Sequence, residues 1–307
     1  MSSALDKVEY LAREKCPLHD DCAGGGQERL RLHTSIDDKV TRRSFRIMRC
    51  ATCGTGLTDP YPSESTVKWL YLGRDSVSNF DPIRGTIMDW LKGIFARRDI
   101  RHAHVLGGSP EVASILDFGA GSGRFSLAAK QVFPTSGVDA VDFDEEPPPY
   151  LRNMPGIRYL TMESYLKETK KYDLIVLRGV LEHVHDPIGM LRLLGQRLTP
   201  SGIVYLEVPN IDSAYIRYCG RNCNAYGVPY HLFNFDPASF PAVLRASGLT
   251  GKIFFKGLPL AGCVLANTLG QKRNLAHQFA GIVLHPLQLL LEWRSGRYVL
   301  AAVCKRA

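Results

Sequence analysis

Three groups of residues have spacing that chemistry can use. The run Ile115-Leu-Asp-Phe-Gly119-Ala120-Gly121-Ser-Gly123-Arg124 joins an apolar stretch to a helical one. Its glycines permit positive φ and let a ligand approach the main-chain N–H groups at a helix start. A dinucleotide fingerprint requires glycine where Arg124 stands, and Asp117 sits just before the bend, where a pyrophosphate would be repelled. A ligand with positive groups and no phosphate fits better. Twenty residues past Gly119, Gly137-Val-Asp139 closes a second apolar run. A carboxylate at a strand tip there can accept both hydroxyls of a ribose, although Asp142 and Asp144 follow closely.

The second group is cysteine-based. Cys16-Pro-Leu-His19 and Cys50-Ala-Thr-Cys53-Gly form two short chelating pairs, the second with a knuckle glycine, and together they fit a tetrahedral structural zinc site. Cys22 is an alternative to His19 as fourth ligand. The third group is the histidines His183, His185 and His231, whose imidazoles titrate near neutrality and can take a proton from a nucleophile. His231, in Tyr230-His-Leu-Phe-Asn, is the preferred base, with His183 the second choice.

These residues need elements to hold them. From Val112 onward, short apolar runs (112–118, 135–141, 172–177, 202–208) alternate with helical stretches, which predicts βαβ units and a parallel sheet with helices on both faces. Two later runs, 251–256 and 297–305, read as an antiparallel closing pair, and the apolar helix between them, 275–292, as buried beneath the sheet, with docking on a partner, a second copy or a membrane surface as the alternatives. Between 63 and 106, three- and four-residue apolar spacing predicts helices, the first capped at Ser63. Residues 1–62 read as a loop-like, basic, cysteine-bearing module, 63–111 as a helical linker and 112–307 as the catalytic domain.

Composition narrows the classes. With 307 residues, 45% hydrophobic and 22% charged, the chain is an ordinary globular sequence, neither collagenous nor low-complexity. The start carries both charge signs and no apolar leader core, and 279–291 is interrupted by His285, Pro286 and Gln288, so neither a secretory signal nor a membrane span is predicted and a cytoplasmic location is expected. The net charge of +8 favours anionic partners, but the basic residues are scattered and only Phe45 lies among Arg42, Arg43, Arg46 and Arg49, which argues against a nucleic-acid groove.

S-adenosylmethionine matches the glycine bend: its sulfonium and amino groups are positive and it carries no phosphate. Over about Val112 to Lys305 the chain resembles the class I S-adenosylmethionine-dependent methyltransferases. The likeness lies in Ile115-Leu-Asp-Phe-Gly-Ala-Gly-Ser-Gly, Gly137-Val-Asp139, Tyr172-Asp-Leu-Ile-Val-Leu-Arg-Gly-Val-Leu-Glu-His183 and Leu198-Thr-Pro-Ser-Gly-Ile-Val-Tyr-Leu-Glu-Val-Pro-Asn210. The resemblance implies an α/β, Rossmann-like, seven-stranded mixed sheet with the cofactor across the carboxyl ends of the strands. It assigns Asp117, Gly119, Ala120, Gly121 and Gly123 to the methionine end, Asp139 to the ribose, Met162 and Glu163 to the adenine, and the backbone of Arg178 to the floor below the sulfonium.

The leader Arg49-Cys-Ala-Thr-Cys-Gly-Thr-Gly-Leu-Thr-Asp-Pro-Tyr-Pro resembles the zinc-binding module of methyltransferases from natural-product and glycan pathways. Sugar C-methyltransferases of that type carry Tyr-His-Glu-His-Leu where this chain has Tyr230 in the glutamate position, which favours oxygen methylation. The metal-dependent quinone O-methyltransferases place an extra acid ahead of Leu-Glu-His, where this chain has Arg178-Gly-Val, so catalytic magnesium is not expected. The expected activity is O-methylation of a sugar or small metabolite. The alternatives are RNA methylation, sugar C- or N-methylation, or a non-catalytic cofactor-binding partner.

Overall fold

The computed structural model describes residues 8–18, 29–38, 41–72, 87–108, 111–219, 226–258, 260–269 and 274–307. The larger part of the chain is built on a seven-stranded sheet of β6 (Ser114–Phe118), β7 (Gly137–Asp142), β8 (Ile157–Thr161), β9 (Tyr172–Arg178), β10 (Leu198–Pro209), β12 (Leu249–Lys256) and β13 (Val299–Arg306). Their spatial order is β12-β13-β10-β9-β6-β7-β8. β6 to β10 are parallel, and β13 runs antiparallel to both β10 and β12. The expected mixed sheet and closing antiparallel pair are both present. β8 had no counterpart among the predicted runs because it is short and follows a proline-rich stretch.

Consecutive residues of the central strands are apolar on both sides, as burial of both sheet faces requires. Ile115, Leu174, Val176, Ile203 and Tyr205 face one core, which includes Ala96, Ile100 and Ala103 of α2 (Ile87–Gly107) and Phe125, Ala128 and Ala129 of α3 (Arg124–Val132). Leu116, Ile175, Leu177, Val204 and Leu206 face the other, with Leu191 and Leu194 of α5 (Pro187–Gln196) and Phe240, Val243 and Leu244 of α7 (Ser239–Ala246). Two short helices complete this part, α4 (Met162–Lys167) after β8 and α6 (Ala214–Cys219) after β10.

The amino-terminal residues are not loop-like. β2 (Leu30–Asp38), β3 (Arg43–Cys50) and β4 (Gly56–Asp59) form an antiparallel sheet whose fourth strand, β11 (Phe233–Asn234), comes from beyond β10. Its period-two signal is the pair Phe45 and Ile47, fully buried, alternating with Arg46. A two-residue pair, β1 (Tyr10–Leu11) with β5 (Tyr61–Pro62), leads to α1 (Glu64–Leu72), where the Ser63 hydroxyl accepts the Thr66 N–H at 3.4 Å, as a cap does. Between β12 and β13 lie α8 (Ala261–Thr268), α9 (Leu275–Val283) and α10 (His285–Ser295). α9 and α10 expose large apolar side chains, so the expectation that this segment is buried beneath the sheet is overturned.

Candidate active site at the carboxyl end of the sheet

β6 ends at Phe118 and the chain bends through Gly119, Gly121 and Gly123, with φ of 77°, 52° and 80°. Two of these glycines are required by crowding: a Cβ at Gly119 would overlap Val180, and one at Gly123 would overlap Leu151. At Gly121 the corresponding space is open, with no described atom within 4 Å. The bend's own donors are largely committed. Gly119 and Ala120 N–H donate to the Val141 carbonyl at 2.8 and 3.0 Å, and Gly123 N–H to Ala120 at 2.9 Å. Gly121 N–H donates to the Asp142 carboxylate at 2.5 Å. Burial pushes the Asp117 carboxyl up to about 6, against the Ser126 hydroxyl that donates to it at 2.5 Å. Burial also raises Asp142, with the Gly121 and Phe143 N–H groups opposing.

Asp139 does not occupy the strand tip. β7 continues three residues further, to Asp142. The Asp139 carboxylate is buried and accepts from Arg158 Nε and Nη2 (both 3.0 Å), Lys170 Nζ (2.9 Å) and the Tyr172 hydroxyl (2.9 Å). Burial opposes its ionisation, but these donors outweigh burial and lower it. The acid beside the glycine bend is Asp142. The sequence signal was present: Ala140-Val141 prolongs the apolar run past Asp139.

Met162 and Glu163 begin α4 behind the Thr161 cap. Met162 is half-buried against the core, whereas the Glu163 side chain is 82% exposed and pairs with Lys167 at 2.6 Å. Arg178 contributes more than backbone. Its Nε donates to Glu207 at 3.0 Å and its guanidinium lies 4.4 Å from the Phe125 ring centre. Glu207 also accepts from Lys256 and from the Tyr205 hydroxyl, and Lys256 donates to Asp99 at 2.6 Å. Burial would raise Glu207, but Arg178 and Lys256 hold it down at about 2.

Beyond β9, a single helical turn, Leu181–His183, meets β11. The His183 and His231 rings stand edge to face with centres 4.7 Å apart. His183 Nδ1 lies 2.9 Å from the Tyr230 carbonyl, which can only accept, so Nδ1 carries the proton and Nε2 is the basic nitrogen of the neutral ring. The Gly227 N–Cα–C unit sits so close beneath His231 that a Cβ there would overlap the imidazole. Glu182, unremarked in the sequence, is buried with Oε1 4.0 Å from His183 Nε2, and burial pushes it up to about 8. His185 lies elsewhere, with Nε2 on the Pro62 carbonyl at 2.9 Å.

The cysteine group assembles as far as it is described. Ligand atoms of Cys16, Cys50 and Cys53 lie within 4.8 Å of one another, and the Cys16 and Cys53 sulfurs are 3.7 Å apart. Tetrahedral zinc–thiolate bonds of about 2.3 Å place sulfurs roughly 3.8 Å apart, so the thiols fit that ion. Gly54, with φ of 81°, and the Gly54 N–H to Cys50 carbonyl bond at 2.9 Å form the knuckle. His19 and Cys22 lie outside the described residues.

The sequence profile of the methyltransferase-domain family matches residues 94–251, which is half of the chain. The chain belongs to that family. Among curated proteins, the methyltransferase str2 of Strobilurus tenacellus is 32% identical over 103 residues, 33% of this chain and 36% of that protein. The ubiquinone biosynthesis O-methyltransferase of Rickettsia canadensis is 29% identical over 107 residues, 33% of this chain and 45% of that one. The matched stretch thus spans less than half of either relative. Among solved structures, the 1,6-didemethyltoxoflavin N1-methyltransferase of Burkholderia thailandensis, crystallised with 1,6-didemethyltoxoflavin and S-adenosylhomocysteine, superposes with a TM-score of 0.52 at 17% identity over 88% of this chain and 98% of that one. A plantazolicin methyltransferase bound to a desmethyl analogue and S-adenosylhomocysteine gives a TM-score of 0.51 at 16% identity over 78% and 95%. These likenesses establish the shared fold of this methyltransferase domain.

Proposed function

We propose that this methyltransferase takes its methyl group from S-adenosylmethionine and transfers it to an oxygen of a sugar or small metabolite. The observation that carries the reading is the Gly121–Asp142 hydrogen bond, which sets the open glycine bend and the tip of β7 side by side above Asp117. Asp142 beside the opening, with the buried Asp117 beneath it, attracts a ligand's ammonium and sulfonium groups and repels a pyrophosphate. In this reading Asp142 accepts the ribose hydroxyls in place of Asp139, Asp117 faces the amino group, and Met162 packs on the adenine.

When bound, the sulfonium supplies an activated methyl group for in-line displacement, so the chain's tasks are alignment and proton removal. His231 accepts the acceptor hydroxyl's proton, and His183, locked by Tyr230, holds the second imidazole against it. Cys16, Cys50 and Cys53 hold a structural zinc with a fourth ligand from the 19–22 stretch.

Calorimetry with S-adenosylhomocysteine and with a nicotinamide dinucleotide tests the cofactor. Heat with the first alone supports the reading, and heat with the second alone overturns it. Incubation with the methyl donor and a panel of glycans and nucleotide-linked sugars, read by mass spectrometry as the gain of one methyl, tests the acceptor. Elemental analysis of the purified chain tests the zinc: one equivalent in the native protein and a deficit in Cys53→Ser is the expected result.

A further inference from the structure

The helices between β12 and β13 have their polarity inside out. On α10 the polar residues turn inward: Gln288 Oε1 accepts from Leu260 and Ala261 N–H at 2.9 and 3.2 Å, and its Nε2 donates to Leu258 O at 2.5 Å and to Glu292 at 2.7 Å. Outward stand Leu287, Leu290 (62% exposed), Leu291 and Trp293 (78%). On α9, His277 and Gly281 are buried, and Leu275, Phe279 (68%) and Val283 face out. A water-facing helix places its apolar stripe on the core, so this inversion calls for an apolar neighbour beyond the described residues.

Charge selects the neighbour. Between Gly257 and Tyr298 the sequence holds Lys272, Arg273, Arg294 and Arg297 against one acid, Glu292. That acid is buried, and desolvation raises its carboxyl above the usual range. A second copy on a two-fold axis would set this basic segment against itself, whereas anionic headgroups compensate it. Tryptophan and arginine beside leucines are the residues that sit at the headgroup boundary. Among the described residues no helix is long and apolar enough to cross a membrane, so the contact is a peripheral one.

We propose that α9 and α10 dock on an anionic bilayer surface, with Phe279, Leu290 and Trp293 entering the headgroup layer. The docked face lies at the catalytic end of the sheet, because β12 runs in the same sense as β10 and the helices follow its carboxyl end. The inference stands apart from the choice of methyl acceptor.

The test is co-sedimentation of the full chain with phosphatidylcholine vesicles, with and without phosphatidylglycerol, alongside the double variant Leu290→Glu/Trp293→Glu. Both positions are exposed, and far-UV circular dichroism checks that the variant is folded. Expected are binding about tenfold stronger to the phosphatidylglycerol vesicles, weakening in high salt, and a loss of about tenfold in the variant. Three results would overturn the proposal: no binding to anionic vesicles at low salt, equal binding by the folded variant, or a dimer in solution that the variant splits.

Discussion

The two ends of the parallel sheet treat their carboxylates in opposite ways. At the amino end, Asp139 is surrounded by Arg158, Lys170 and Tyr172, and Asp173 accepts from Ala113 and Ser114 N–H and from the Ser114 and Thr199 hydroxyls. Burial acts against both, yet donors prevail and both are lowered. At the carboxyl end, burial prevails and Asp117, Asp142 and Glu182 are raised. Glu207 is the exception there, because Arg178 and Lys256 saturate it. Acids that serve the fold have their charge satisfied within the chain. In the proposed reading, the acids that burial raises at the carboxyl end are the ones left to meet a ligand.

Substitutions at the two ends should therefore fail differently. His231→Ala should lower kcat by about 10²- to 10⁴-fold while leaving S-adenosylhomocysteine affinity nearly unchanged, read by turnover and calorimetry together. Unchanged turnover removes His231 from the proton path and moves attention to His183→Ala. Asp142→Ala should weaken S-adenosylhomocysteine about 100-fold with little loss of folding stability.

Asp139→Ala should do the reverse. It strands Lys170 and Arg158, both partly solvated, and costs on the order of 1–3 kcal/mol in urea unfolding, with the cofactor site intact. If Asp139→Ala abolishes cofactor binding in folded protein and Asp142→Ala does not, the contrast drawn between the two ends is wrong.

A further expected effect is on pH dependence. Glu182 is raised from 4.5 to about 8, so the native state holds a proton the unfolded chain releases, and stability falls as pH rises from about 4.5 through 8. Asp117, raised to about 6, adds a slope of the same sign over a lower range. Glu182→Gln should flatten the upper part of the curve, above pH 6. An unaltered slope in urea titrations across that range would show that Glu182 is ionised in the native chain.

Much of this was legible beforehand where local pattern and tertiary role coincide. The glycine bend, the strand alternation and the closing antiparallel pair each follow from period or φ requirements that a short stretch carries by itself. Asp139 and Asp142, two acids in one strand, differ only in which end of the sheet they reach, and that depends on where the strand stops. The β2–β3–β4 meander is local and carries its own period-two signal at Phe45 and Ile47, whereas its closure by Phe233–Asn234, 174 positions beyond Asp59, is a pairing no local pattern encodes. In α9 and α10, apolar periodicity shows that a helix has two faces, and not which of them the fold covers.

β11 gives the cysteine knuckle a hold on the histidines. The Thr58 hydroxyl donates to the His231 carbonyl at 2.5 Å, and Arg49, one residue before Cys50, grips the Gly54 carbonyl, Asp212 and Asp236. The stretch 94–251 that carries the family signature omits every one of those amino-terminal contacts. A fragment cut to that signature would lack the strands that hold the His231 backbone from outside, so the unit that braces this segment is larger than the stretch by which its kinship is recognised.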